Sequence, residues 1–237
     1  QTVGRTLKGQ IVVARPSFAH YESTCMYEGL SYEPWDLDEN LQYDITKLQS
    51  MPANSAVFFA SPNNPVGNAL EYEDLKELLN THPTTLFVAD EAYFEFEDKD
   101  YLSLLSEFNN LILVRTFSKT MGAAGARIGY IVAAKEWINH FIKNRPPYLI
   151  NLFGEQAALE ATLNPRLQQF RLDLLDFIKQ ERAQMFNELS ELSSKFSVVP
   201  PRANFLLIRF KDQNDLDKVY QGLIEHGILV RNVSRGP

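Results

Sequence analysis

Short apolar runs, each breaking off at a polar residue, constrain this chain more than any other feature. Ile11-Val12-Val13-Ala14 stops before Arg15-Pro16, and Ala56-Val57-Phe58-Phe59-Ala60 stops before Ser61-Pro62-Asn63-Asn64-Pro65. Leu86-Phe87-Val88-Ala89 ends at Asp90, Leu111-Ile112-Leu113-Val114 ends at Arg115 to Lys119, and residues 128–133 form another such run. Runs this short, apolar at successive positions, suit strands buried on both faces. Between them lie amphipathic stretches such as residues 71–80, where Leu75, Leu78 and Leu79 share one helical face. The alternation predicts an α/β fold, a mostly parallel sheet with helices on both faces. Ligands of such sheets bind beyond the carboxyl ends of the strands. Asn64, Asp90 and the Ser118-Lys119 pair are expected there.

The last third has a different pattern. Residues 152–194 read as helix with a break at Asn164-Pro165, and the stripe Phe170, Leu174, Phe177, Ile178 is expected in the core. Strands follow at 196–199 and 204–210, then a helix at 214–226 and a third strand at 228–233. This α+β order predicts a smaller second domain, with residues 1–155 forming the large domain and 156–237 the small one. The chain opens at Gln1 without Met and stops at Gly236-Pro237 just after an apolar run. It therefore reads as part of a longer polypeptide, with N- and C-terminal parts missing.

Composition narrows the function classes. The 237 residues are 45% hydrophobic and 22% charged, enough for a sizeable core without cross-links. A net charge of −7 without a long basic run argues against nucleic-acid binding. The one cysteine, Cys25, cannot pair within the chain, so a buried thiol and a cytoplasmic location are expected. No apolar run reaches the ~18 residues of a membrane span. His20, His82, His140 and His226 are scattered without metal-ligand spacing. Phosphate-binding Walker, dinucleotide-binding and nucleophile-elbow motifs are absent from the sequence.

Three segments could carry chemistry. Arg115-Thr116-Phe117-Ser118-Lys119-Thr120-Met121-Gly122-Ala123-Ala124-Gly125-Ala126-Arg127-Ile128-Gly129-Tyr130 leaves one strand and enters another through small residues. Its glycines admit close backbone approach, and Ser118 and Arg127 suit a phosphate. A partly desolvated Lys119 would be a nucleophile toward aldehydes; a solvated lysine on a polar loop is the plainer alternative. In Val88-Ala89-Asp90-Glu91-Ala92-Tyr93, Asp90 could pair with a cation or cap a helix while Tyr93 sits in the core. Ser61-Pro62-Asn63-Asn64-Pro65-Val66-Gly67 could present Asn64 or be only a turn.

Together and in this order, Asn-Pro-x-Gly, Asp-x-x-Tyr and Ser-Lys with Arg eight residues on resemble the fold-type I aminotransferases that depend on pyridoxal 5'-phosphate (PLP). Arg115 to Lys119, Gly122 to Tyr130, Ala203 to Leu207 and Gly227 to Arg231 most resemble the histidinol-phosphate aminotransferases. The resemblance covers nearly the whole chain. It implies that Lys119 holds PLP covalently and later acts as the base. Asp90 would pair with the ring nitrogen, Asn64 and Tyr93 would bond the ring's phenolic oxygen, and Ser118 and Arg127 would hold the phosphate. Phe18, after Arg15-Pro16-Ser17, would stack on the ring where many relatives carry Tyr; the alternative is a core residue. Arg231 would bind the substrate's phosphate and carboxylate end, and Asn64 would also face substrate.

The resemblance further implies amino transfer in histidine biosynthesis between histidinol phosphate and 2-oxoglutarate, in a homodimer. The amino donor and keto acid are small molecules, one of them phosphorylated. The alternatives are a threonine-phosphate decarboxylase, an aromatic-amino-acid aminotransferase, or a non-catalytic regulatory domain with the same fold. A second substrate-binding arginine, an upstream glycine turn for the cofactor phosphate and the segment reaching the partner subunit are not in this sequence.

Overall fold

The computed structural model describes residues 9–145, 149–192 and 194–234. Its centre is a six-stranded sheet of β1 (Ile11–Arg15), β2 (Glu33–Asp36), β3 (Ala56–Ala60), β4 (Leu86–Asp90), β5 (Leu111–Thr116) and β6 (Gly129–Ala133) in the order β2-β1-β3-β4-β5-β6. Pairing is parallel from β2 to β5. The register sets Ala60 beside Asp90 and Asp90 beside Val114, so β3, β4 and β5 deliver their following loops to one edge. β6 runs antiparallel to β5, Thr116 facing Gly129. No α-helical crossover lies in residues 117–128, and a parallel return needs one.

Strand side chains alternate between the two faces. Val57, Phe59, Phe87, Ala89, Leu111 and Leu113 meet Leu75, Leu78 and Leu79 of α2 (Tyr72–Thr81) on one face. Ala56, Phe58, Leu86, Val88 and Ile112 meet Trp137 and Phe141 of α3 (Lys135–Asn144) on the other. Each α2 leucine contributes about 1.5–3 kcal/mol by leaving water. Cys25 of α1 (His20–Tyr27) is buried against Ile11 and Val13. The sheet's two margins differ. β2 exposes Glu33, Pro34 and Asp36 and buries only Trp35, whereas β6 exposes Gly129, Tyr130 and Ile131.

The break at Asn164-Pro165 separates α4 (Leu152–Leu163) from the 28-residue α5 (Pro165–Leu192). Asn164 is extended at ψ 115°, as a residue before proline prefers, and Pro165 opens α5 where no amide donor is needed. The Asn151 side chain caps α4 by accepting from the Gly154 N–H at 2.7 Å. The division expected after residue 155 falls inside α4.

The expected stripe of α5 is inward only in part: Ile178 packs into the core as expected, whereas Phe170 and Phe177 do not. Its inward line is Arg171, Leu175, Ile178 and Arg182, which meet the 93–98 segment, Ala203 and Phe205. Phe170 and Phe177 are 65% and 58% exposed. Beyond α5, β7 (Phe196–Val198) and β8 (Ile208–Phe210) form an antiparallel pair, followed by α6 (Gln213–Glu225). The strand expected at 204–210 is reduced to β8 because Ala203 and Phe205 pack against Tyr93, Phe96 and Leu175 instead of a neighbouring strand. The strand expected at 228–233 is not formed. Among the described residues it pairs with neither β7 nor β8, and Ile228, Leu229 and Val230 are exposed.

Candidate active site

Asp90 ends β4, and each of its carboxylate oxygens is engaged. Oδ1 accepts from the Ala92 N–H at 2.9 Å and Oδ2 from the Tyr21 hydroxyl at 2.5 Å. Burial pushes the carboxyl above the ordinary aspartate range, opposed by the Tyr21 hydroxyl, the Ala92 amide and the positive charge of Lys119. The helix-cap alternative does not describe it. The turn that follows, Phe94–Phe96, starts after Tyr93 and has no side-chain cap.

Beside Asp90, the loops after β3 and β5 converge on Tyr93. Asn64 Nδ2 donates to the Tyr93 hydroxyl at 3.0 Å. The Asn64 loop is fixed by the Asn63 N–H to Asn68 carbonyl and Gly67 N–H to Asn63 carbonyl bonds, both 2.7 Å. Gly67 takes φ +86°, a conformation glycine adopts without a steric penalty. Tyr93 is buried edge-on against Phe205, with ring centroids 5.3 Å apart. Lys119 Nζ lies 4.9 Å from the centroid of the Tyr93 ring. The desolvation expected at Lys119 is not found. Its side chain is exposed.

The loop after β5 is held mainly by its own atoms. Thr116 Oγ1 donates to Ser118 Oγ at 3.0 Å and accepts from the Ser118 N–H at 3.1 Å. Thr120 Oγ1 is buried with no hydrogen-bond partner among the described residues. Gly129 is required where β6 begins, since a Cβ there would lie 2.8 Å from the Arg115 carbonyl oxygen. Arg127 occupies the left-handed region at φ 56°, ψ 43°. Its guanidinium is exposed and donates to the Ala124 carbonyl at 3.2 Å, not to Ser118.

The other two expected residues stand apart from this cluster. Phe18 is not a core residue; it is exposed and meets Tyr21 edge-on at 5.9 Å, one ring away from Asp90. Arg231 is exposed and lies outside any strand, and no hydrogen bond or ion pair joins it to the cluster among the described residues.

Sequence reasoning missed two features. Tyr21 bonds Asp90 across 69 positions; its only sequence signal was its place three residues after Phe18. Glu91 and Arg115 form a buried ion pair of 2.7 Å between the ends of β4 and β5, extended by Arg115 Nη2 to Asp100 at 2.8 Å. A cavity of about 190 Å³ adjoins that pair, lined by Glu71, Glu73, Glu91, Glu97 and Asp100 together with Lys99 and Arg202, the latter paired with Glu71 and Glu97.

Asp90, the Asn64–Tyr93 pair and Lys119 thus offer an anion, a neutral donor pair and an amine around one edge. Among the described residues no group of His, Cys, Asp and Glu could hold a metal ion. Residues 2–235 match the sequence profile described as aminotransferase class I and II. The chain is 37% identical over 232 residues to the histidinol-phosphate aminotransferase of Thermoanaerobacter pseudethanolicus, covering 96% of this chain and 64% of that protein. Its fold matches the histidinol-phosphate aminotransferase of Sinorhizobium meliloti, solved in complex with pyridoxal-5'-phosphate, with TM-score 0.82 and 25% identity over 97% of this chain and 64% of that one. It also matches the L-threonine-O-3-phosphate decarboxylase of Porphyromonas gingivalis with TM-score 0.79 and 28% identity, over 100% and 71%. The chain therefore spans about two thirds of the length of the proteins it resembles.

Proposed function

We propose that this chain, which belongs to the class I and II aminotransferase family, is the cofactor-binding core of a PLP-dependent transaminase that moves an amino group between histidinol phosphate and 2-oxoglutarate. The observation that carries this reading is the meeting of Asn64, Asp90, Tyr93 and Lys119 at the carboxyl ends of three adjacent parallel strands.

The residues present fit the cofactor. Asp90 has a carboxylate shielded from water, with lone pairs to spare beyond Ala92 and Tyr21. Asn64 and Tyr93 pair at a point where their donors suit an oxygen anion. Lys119 presents its ammonium over Tyr93, and the unpartnered Thr120 hydroxyl lies one residue on. When bound, PLP supplies an aldehyde that joins amines and a protonated ring that draws electrons from the adjoining carbon.

Each chain residue then has one task. Lys119 Nζ would hold the cofactor at its aldehyde carbon and, as a free amine, would accept and return a proton at the substrate. Asp90 keeps a proton on the ring nitrogen by charge pairing. Asn64 and Tyr93 orient the ring through its phenolic oxygen. Ser118 and Arg127 bind the phosphate, which requires the Arg127 guanidinium to leave the Ala124 carbonyl. Phe18 covers the ring face, and Arg231 forks onto the anionic end of the substrate.

The histidinol-phosphate preference is supported by the 37% identical relative. Decarboxylation of a phosphorylated amino acid is the second reading, supported by the likeness to the threonine-phosphate decarboxylase. A large domain up to residue 155 and a smaller one beyond it complete the proposal, supported by the separate β7–β8 sheet. So does a homodimer, supported by the exposed Leu149, Ile150, Leu152 and Phe153, which call for a cover. A cytoplasmic setting agrees with the unpaired Cys25.

The test is the full-length protein assayed side by side with histidinol phosphate and threonine phosphate, with 2-oxoglutarate as amino acceptor. Amino transfer from histidinol phosphate is expected; release of carbon dioxide from threonine phosphate alone selects the second reading. Borohydride reduction and peptide mapping should put the pyridoxyl group on Lys119, and a label on another lysine refutes the site. Arg231→Ala should lower kcat/KM for histidinol phosphate about ten- to a hundredfold.

A further inference from the structure

The hydrogen bond that joins Tyr21 to Asp90 has no part in the roles assigned above. Tyr21 stands in the first turn of α1, its backbone N–H bonded to the Phe18 carbonyl at 3.1 Å. Its ring packs beside Ile11, Val13 and Cys25, so the phenol is held from the β1 side of the sheet. Its hydroxyl reaches across to Oδ2 of Asp90 at 2.5 Å, while Ala92 holds Oδ1 from the β4 side. A carboxylate with one donor can turn about its Cβ–Cγ bond. Two donors on different oxygens, from two elements, fix its plane. Burial and the neighbouring Asp90 charge raise the Tyr21 hydroxyl well above the tyrosine range, so it stays protonated and can only donate to the carboxylate.

We propose that Tyr21 is a positioning residue, whose hydroxyl fixes the plane of the Asp90 carboxylate and keeps it ionised toward the ring nitrogen of the cofactor. The proposal rests on the PLP reading of the site and goes beyond it by assigning a residue that touches neither cofactor nor substrate. Each Asp90 oxygen retains a lone pair after its present bond, so the tie leaves the carboxylate able to accept from the ring. Without it, Asp90 would keep only the Ala92 amide as a hydrogen-bond donor, and its neutral form would gain.

The experiment uses the full-length protein stripped of cofactor. Tyr21→Phe deletes the hydroxyl and keeps the ring packed on Cys25. Affinity is measured for PLP and for its deaza analogue, in which the ring nitrogen is replaced by C–H. Tyr21→Phe is expected to weaken PLP about tenfold, the loss of one hydrogen bond to a charged group, and to leave the deaza analogue unchanged. Tyr21→His, which restores a donor, should recover part of the PLP affinity and serves if Tyr21→Phe does not fold. Equal losses for both ligands would mean that Tyr21 only packs, and an unchanged PLP affinity would mean that the bond has no effect; either result overturns the proposal. A wild-type protein that takes up neither ligand refutes the site reading itself, and the Tyr21 role with it.

Discussion

Glu91→Ala should destabilise the protein more than any surface substitution and should do so through Arg115. The Glu91 and Arg115 side chains are 1% and 6% exposed, so neither charge has water to fall back on. Removing one partner of a buried pair costs about 3–5 kcal/mol, and the lower end applies because Arg115 Nη2 keeps Asp100 at 2.8 Å and the guanidinium keeps the Phe94 ring at 3.8 Å. Glu91 Oε1 also accepts the Tyr101 N–H at 3.1 Å, whose orphaning adds about 1 kcal/mol. A total of about 4 kcal/mol corresponds to a fall in Tm of roughly 8–16 °C for a domain of this size. Thermal unfolding followed by circular dichroism reads it directly. Arg115→Leu alone should cost a similar amount, and Glu91→Leu with Arg115→Leu should cost less than the two separate losses together, because an apolar pair leaves no buried charge. A Tm within about 2 °C of wild type for Glu91→Ala, or strict additivity in the cycle, refutes the reasoning.

Asp90→Asn should separate stability from function: it removes a charge that burial disfavours, so the cofactor-free protein should melt no lower at neutral pH while turnover collapses. Because the folded carboxyl is raised, it binds its proton before the unfolded one does, and its contribution to stability grows as pH falls through the folded value, levelling below about 3.9; melts of wild type between about pH 4 and 7 should show this limb, and Asp90→Asn should flatten it. Arg127→Gly should relieve the left-handed backbone by about 1 kcal/mol and raise Tm, yet weaken binding of a phosphate-bearing ligand, both measurable on one preparation. Asn151→Ala should cost about 1 kcal/mol in urea unfolding by uncapping α4, with no change in cofactor affinity.

The parts of this fold legible in the sequence are those buried on both faces. β3, β4 and β5 could be read from the apolar runs because each opens with at least four successive apolar residues packed between the layers, and the candidate site residues Asn64, Asp90 and Lys119 all follow such a run. β2 was invisible because Glu33-Pro34-Trp35-Asp36 buries one residue in four, as an edge strand can. α5 was read only in part: Ile178 is inward as expected, but the inward line also includes Arg171 and Arg182, held by Glu95 and by the Phe96 and Ala203 carbonyls, while two phenylalanines face outward. Asn64, Asp90, Tyr93 and Lys119, which the fold brings to one edge of the sheet, were picked out by type and order. The exposure of Lys119 and the Tyr21–Asp90 bond depend on contacts across the fold, which no local pattern encodes.

The unlike margins of the sheet have a practical consequence for handling this chain. At β2, a proline lacking a donor and two carboxylates discourage further strand addition. β6 has no such gatekeeper: Tyr130, Ile131, Val132 and Ala133 form an uncharged ribbon, and the amides on its outer side point away from β5. Those amides should be the fastest of the sheet to exchange with deuterium, and the same ribbon is where chains of this length would first stick to one another on concentration or heating. Ile131→Lys, outside every site described here, should slow such clumping without lowering the unfolding temperature of dilute protein, a simple route to a better-behaved preparation.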